Sequence, residues 1–129
     1  MKKPMGFAQY KMKGNLYRAI SSDGVHLRVY RVENEPFGDS KMWKQSVDFY
    51  LKGKGYHRIK QTDVENGNGK KGDYSEYIYR FNGMNYIYSL TLYNDDKYIF
   101  VIETGGVESF FNNRRDSILK AIRAFKIIE

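Results

Sequence analysis

Tyr98-Ile99-Phe100-Val101-Ile102 is a run of five apolar or aromatic residues with no polar residue among them. A strand that is apolar on both faces must be covered on both, so the run predicts a strand at the centre of a sheet. Gly105-Gly106 is expected to break it. A helical pattern then takes over, with Phe111, Ile118, Ile122 and Phe125 on one face and Arg114, Arg115, Lys120 and Arg123 mostly off it. Burying each of those four apolar side chains contributes roughly 1.5–3 kcal/mol, enough to dock the helix firmly.

Upstream, the pattern alternates. Leu16 to Ile20 and Val25 to Val32 read as the arms of a hairpin around Ser21-Ser22-Asp23-Gly24, with Val25, Leu27 and Val29 pointing inward. His26, on the other parity, is expected to face solvent. Glu33 to Gly38 reads as a loop punctuated by Pro36, after which Asp39 or Ser40 offers a helix cap. Trp43, Val47 and Leu51 follow at i, i+4 and i+8, widened by Phe49 or Tyr50, and Gly53 or Gly55 ends this helix. Trp43 is expected to anchor the core. Tyr56 to Glu65 is only loosely apolar and suits a sheet edge. Tyr74–Phe81 and Tyr86–Tyr93 flank Asn82-Gly83, a strong hairpin signal, and the turn at Asn94-Asp95-Asp96 leads into the central strand.

Two helices with apolar faces and one strand apolar on both sides point to an α+β fold. The expectation is a three-layer α/β/α sandwich, in which a mainly antiparallel sheet of about six strands carries one main helix on each face. Leaving one side of Tyr98–Ile102 in water would cost several kcal/mol, comparable to a domain's net stability. The expected core comprises Trp43, Val47, Leu51, Phe100, Ile102, Phe111, Ile118, Ile122 and Phe125. Residues 16–129 are read as one domain, preceded by a basic arm over residues 1–15 that carries four lysines and no acid.

The hairpin, the helix opened by Trp43, Gly55-Tyr56 leading into a strand, the meander, and the closing spacing from Phe111 to Phe125 together resemble the PsbP-like family. That family includes the extrinsic photosystem II protein P, bacterial envelope lipoproteins and a Ran-binding import factor. The resemblance implies an α/β/α sandwich without a common catalytic centre, and a periplasmic or cell-envelope location if a signal segment has been removed. It transfers no functional residue, and the lipobox cysteine of a bacterial lipoprotein is not in this chain.

Composition narrows the chemistry. Zero cysteines exclude disulfides, thiolate zinc sites and cysteine nucleophiles. His26 and His57 lie in separate strands with no metal-binding spacing, and no G-x-S-x-G occurs. No run approaches the ~18 apolar residues of a membrane helix, and no signal-like apolar region follows Met1. The glycines and lysines from Gly67 to Gly72 lack the Ser or Thr and the helix of a phosphate loop. Asp95-Asp96 reads as turn chemistry. No enzyme activity, cofactor or metal is therefore expected.

The net charge of +7 leaves anionic partners open. Arg114, Arg115, Lys70, Lys71 and Glu103 are the candidate residues for an anion or partner surface, Glu103 because it is expected to end the central strand near a helix start. Three readings follow. The first is an interaction or accessory domain whose partner is another protein. The second is a basic domain for single-stranded nucleic acid or an anionic surface, suggested by Tyr17-Arg18, Arg28-Tyr30-Arg31 and Tyr79-Arg80. The third is a small-molecule pocket between sheet and helix, lined by tyrosines and Met84 or Met42.

Overall fold

The computed structural model describes residues 1–34, 38, 40–95 and 97–127, with the backbone alone for Ser40. Glu35, Pro36 and Phe37 of the expected loop, both alternative caps (Asp39 and the Ser40 side chain), and Asp96 of the expected turn lie outside the described residues. In chain order the elements are β1 (Phe7–Gln9), β2 (Tyr17–Ser21), β3 (His26–Glu33), α1 (Ser40–Gly53), β4 (His57–Glu65), β5 (Lys71–Phe81), β6 (Met84–Asn94), β7 (Tyr98–Val107) and α2 (Glu108–Ala124). Among the described residues the strands form one antiparallel sheet in the order β1-β2-β3-β7-β6-β5-β4.

This arrangement corrects the expected sandwich. The sheet has seven strands rather than about six, because Phe7–Gln9 pairs with β2 as an added edge strand. Phe7 is buried, as is Pro4, so part of the segment read as a basic arm is tied to the body. The two sides are also unequally covered, and no clear three-layer sandwich results. On one face α2 closes a continuous core: Phe111, Ile118, Ile122 and Phe125 pack with Leu27, Val29, Tyr93, Phe100 and Ile102. On the other, Leu90, Ile99 and Val101 form a small buried cluster, and Trp43 and Val47 of α1 rest on them half-buried. Of the α1 stripe Leu51 alone is buried, while Phe49 and Tyr50 project into solvent. Trp43 and Val47 thus stand at the margin of a cleft instead of in the core. The reason is width, since three residues at i, i+4 and i+8 make a single ridge and cannot seal a sheet face by themselves.

β7 occupies the middle of the sheet, between β3 and β6, and β4 forms an edge. Asn82 and Gly83 both adopt positive φ (51° and 77°) between the paired residues Phe81 and Met84, which gives the two-residue hairpin turn its twist. Gly105-Gly106 does not end β7. The strand runs on to Val107, with Gly105 paired to His26 and to Tyr88. A Cβ on Gly105 would come within 3.1 Å of the His26 ring, so glycine serves close approach between strands there, not reversal of the chain.

Candidate functional site

Pleating assigns the second face of the sheet. Ile99, Val101 and Glu103 of β7 share it with Val32, Tyr30, Arg28 and His26 of β3, and with Leu92, Leu90, Tyr88 and Tyr86 of β6. α1 crosses this face, held by polar ties on one flank. Lys44 pairs with Asp73 at 3.2 Å, the Tyr77 hydroxyl donates to Asp48 at 3.1 Å, and Arg58 lies 3.8 Å from Asp48. At its start the Trp43 indole N–H donates to Asn34 Oδ1 at 2.8 Å. These partners belong to β4, β5 and the segment after β3, and among the described residues these ties leave the flank over β3 and β7 open.

An open cleft of ≈ 430 Å³ remains beneath that flank. Trp43, Ser46, Val47, Tyr50 and Leu51 form its helix side, and Val32, Leu92, Ile99, Val101 and Leu90 its floor. Tyr30, Tyr88 and Glu103 finish it at the end away from Val32. The volume falls in the range of roughly 300–1,000 Å³ usual for small-molecule sites. Met84 and Met42, expected to line such a pocket, are not among its lining residues.

Among the described residues Glu103 is the one charged side chain in the lining, and it is neutralised on the spot. Arg28 Nε donates to its Oε1 at 2.6 Å and Arg28 Nη2 to its Oε2 at 3.3 Å, while the Tyr88 hydroxyl donates to Oε2 at 2.6 Å. Burial pushes the Glu103 carboxyl up, but these hydrogen bonds and the Arg28 charge outweigh it, and its pKa lies below the usual value. Tyr88 is pushed above its ordinary value, first by burial and then by its bond to Glu103. The Arg28 guanidinium also lies over the Tyr30 ring, 4.5 Å from its centre. Tyr56, Tyr79 and Tyr86 extend the aromatic surface beyond Tyr88, with Tyr79 stacked on Tyr86 at 5.3 Å.

The five candidate surface residues do not converge. Glu103, expected to end the central strand, lies inside β7 on the α1 side, since the strand runs on to Val107, and it is not at the start of α2. Arg114 and Arg115 lie on the other side of the sheet. Arg114 pairs with Asp23 at 3.4 Å. Arg115, expected on a solvated helix side, forms two 2.8 Å hydrogen bonds to Glu76, a residue only 1% exposed. Lys70 and Lys71 stand at the β4–β5 connection, Lys71 exposed. Sequence reasoning did not single out Arg28 and Tyr88 as the partners of Glu103. The available signal was parity: Glu103 shares the face of Ile99 and Val101, where a charge requires a partner.

His26 is half-buried beside this group, not solvent-facing. Burial lowers its pKa, Arg18 on β2 and Arg28 on β3 push the same way, and Glu103 on β7 opposes them. Tyr88 on β6 and Tyr30 on β3 share this face, and both stay neutral below their raised pKa values. The folded protein therefore keeps His26 neutral at pH values where the unfolded chain, with a His pKa of about 6.5, takes up a proton. The resulting stability is fully present above about pH 6.5 and is lost as pH falls toward the lowered folded value. Melting temperature should fall between pH 7.5 and 5, and His26→Gln should flatten that slope; an unchanged slope would show that His26 does not carry it.

Among the described residues no group of His, Asp and Glu is placed to hold a metal ion, and no helix is long and apolar enough to cross a membrane. No protein-family model and no curated protein sequence matches the chain. Solved structures do. LpqN of Mycobacterium tuberculosis, described as involved in cell envelope biogenesis, superposes with a TM-score of 0.73 at 10% identity, over 95% of this chain and 78% of LpqN. PA94 of Pseudomonas aeruginosa, a protein of unknown function described as a putative regulator, gives a TM-score of 0.60 at 9% identity, over 95% of this chain and 98% of PA94. At such identities the likeness shows the fold alone, and the chain shares its fold with a protein involved in cell envelope biogenesis and a protein of unknown function.

Proposed function

We propose that the chain is a non-enzymatic binding domain of the PsbP-like kind, envelope-associated, whose cleft beneath α1 receives the apolar part of a ligand or partner. The observation that carries this reading is the asymmetry of the two faces. Between α2 and the sheet lies a continuous buried core, whereas between α1 and the sheet ≈ 430 Å³ stays open between aromatic and aliphatic walls. A domain of this size loses stability by leaving Tyr30, Trp43 and Val47 half-covered, and binding in the cleft recovers that burial. The fold shared with LpqN supports the envelope association.

The neutral fluorescent probe N-phenyl-1-naphthylamine tests this. Saturable binding is expected, weakened at least five-fold by Val47→Gln in the cleft wall and unaffected by Phe49→Gln, whose side chain is 81% exposed and outside the lining. Absence of saturable binding would overturn the cleft reading. A hydrolytic or transfer activity lost in Glu103→Gln, with probe binding retained, would overturn the non-enzymatic one.

Nucleic-acid stacking has less support. The tyrosine–arginine pairs that suggested it are split by the pleat: Arg18, Arg28, Tyr30 and Tyr79 share the α1 face, whereas Tyr17, Arg31 and Arg80 point the other way. Tyr17 is buried on the α2 side.

A further inference from the structure

We infer that the groove between residues 2–5 and α2 is a docking site for an acidic segment of a partner protein. The groove lies on the α2 side of the sheet, apart from the cleft beneath α1, and the inference does not rest on the cleft reading.

The groove exists because the start of the chain folds back on the helix. Phe7 N–H donates to the Pro4 carbonyl at 3.3 Å, and Gly6 takes φ 85°, as the third residue of a type II turn requires. Pro4 and Phe7 are buried and Met1 packs against the main core, so the turn is anchored on both sides. Gly6 lies flush against the Arg114 guanidinium of α2, where a Cβ would collide with it. This backbone path brings Lys2 and Lys3 into one lining with Asp116, Ser117 and Lys120 of α2.

Charge is the second observation. Three lysines line the groove, and among the described residues Asp116 is the one carboxylate in the lining. Among the described residues none of Lys2, Lys3 and Lys120 has an ion-pair partner. Elsewhere in the chain charges that come together are answered: Asp48 by Lys52 and Arg58, Asp23 by Arg114, Glu76 by Arg115. Three ammonium groups around one hollow repel each other, and a ligand bearing carboxylates relieves that repulsion.

Shape is the third. The groove encloses ≈ 410 Å³. Ala121 and Ala124 keep its helix side low, because neither extends beyond a methyl group, and Pro4 and Met5 supply the apolar part of the other side. An extended peptide alternating carboxylates with small apolar side chains suits both features, its acids at the lysines and its small side chains on the alanines. A bilayer surface is flat on this scale and would not reach the alanines. Among the described residues the lining holds no aromatic ring on which a nucleobase would stack.

Fluorescence anisotropy of a fluorescein-labelled peptide of alternating Glu and Ala residues tests the site, with the alternating Gln and Ala peptide as its neutral counterpart. At low salt the Glu peptide is expected to bind about ten-fold more tightly than the Gln peptide, and added NaCl should erode the difference. Lys120→Gln should weaken the Glu peptide about five-fold, whereas Lys60→Gln, which removes an equal charge from the exposed β4, should change it less than about two-fold. Ala124→Leu keeps the charge and fills the groove, so it should weaken binding by a factor similar to Lys120→Gln. All three positions are exposed, and the melting temperatures should match the wild type. Equal losses in Lys120→Gln and Lys60→Gln would reduce the effect to net charge and overturn the site, as would wild-type affinity in Ala124→Leu. Displacement of the peptide by an equal concentration of free glutamate would show a small-anion site instead. Binding to phosphatidylglycerol vesicles without binding of the peptide would assign the lysines to a lipid surface, and either result overturns the acidic segment as occupant.

Discussion

Replacing Arg115 by Met should destabilise the protein by about 3–5 kcal/mol, because it strands the Glu76 carboxylate in the α2-side interior. Glu76 is 1% exposed and is held by two 2.8 Å hydrogen bonds from Arg115, with the Tyr74 hydroxyl donating a third. Tyr74 is itself fully buried, and its pKa is raised first by that burial and then by the bond to Glu76, so it stays a donor across the accessible pH range. For a chain of this length the loss corresponds to a fall in melting temperature of roughly 10–20 °C. Adding Glu76→Gln to Arg115→Met removes the uncompensated charge while keeping an acceptor for Tyr74, and should recover more than half of the loss. Urea unfolding of the wild type, the single variant and the double variant measures all three quantities. A single-variant loss under about 1 kcal/mol would mean that Glu76 is not a charge dependent on Arg115.

Phe111→Ala should cost about 3–5 kcal/mol, whereas Val47→Ala should cost less than about 1 kcal/mol. Phe111 is 0% exposed and belongs to the continuous core that α2 forms with residues from all seven strands. Removing its ring leaves a cavity that paired strands and a docked helix cannot collapse. Val47 is half-buried beside a space that is already open, so its truncation enlarges the cleft without creating a sealed void. Melting temperatures of the two variants therefore measure the inequality of the two faces. Equal losses would mean that α1 and α2 contribute comparable cores, and the cleft would then be too tightly packed to admit a ligand.

Much of the local structure was legible along the chain. Val25, Leu27 and Val29 lie together on the α2 side as their alternation requires, and Asn82-Gly83 makes the tight turn for which its residues are suited. β1 was not legible, since three residues of which only Phe7 is buried carry no usable period. The charged groups were misjudged for a related reason. Arg115 looks like a surface residue on a helix projection, and nothing within nine residues of it indicates that Glu76, 39 positions earlier, is buried beneath it.

What the chain determined alone was periodicity: which side chains share a face of a strand or helix, where the backbone can turn, and that Tyr98–Ile102 must be flanked on both edges. Those are consequences of fixed backbone geometry acting over a few residues. Only the tertiary structure decided how deep each face lies and which faces meet. It set β7 between β3 and β6, so that Arg28 reaches Glu103 across 75 residues of sequence and stands opposite Arg18. It also stopped α1 short of sealing its side, because burial depends on the width of what lies opposite, and a single ridge of side chains does not reveal how much of a seven-stranded sheet it has to cover.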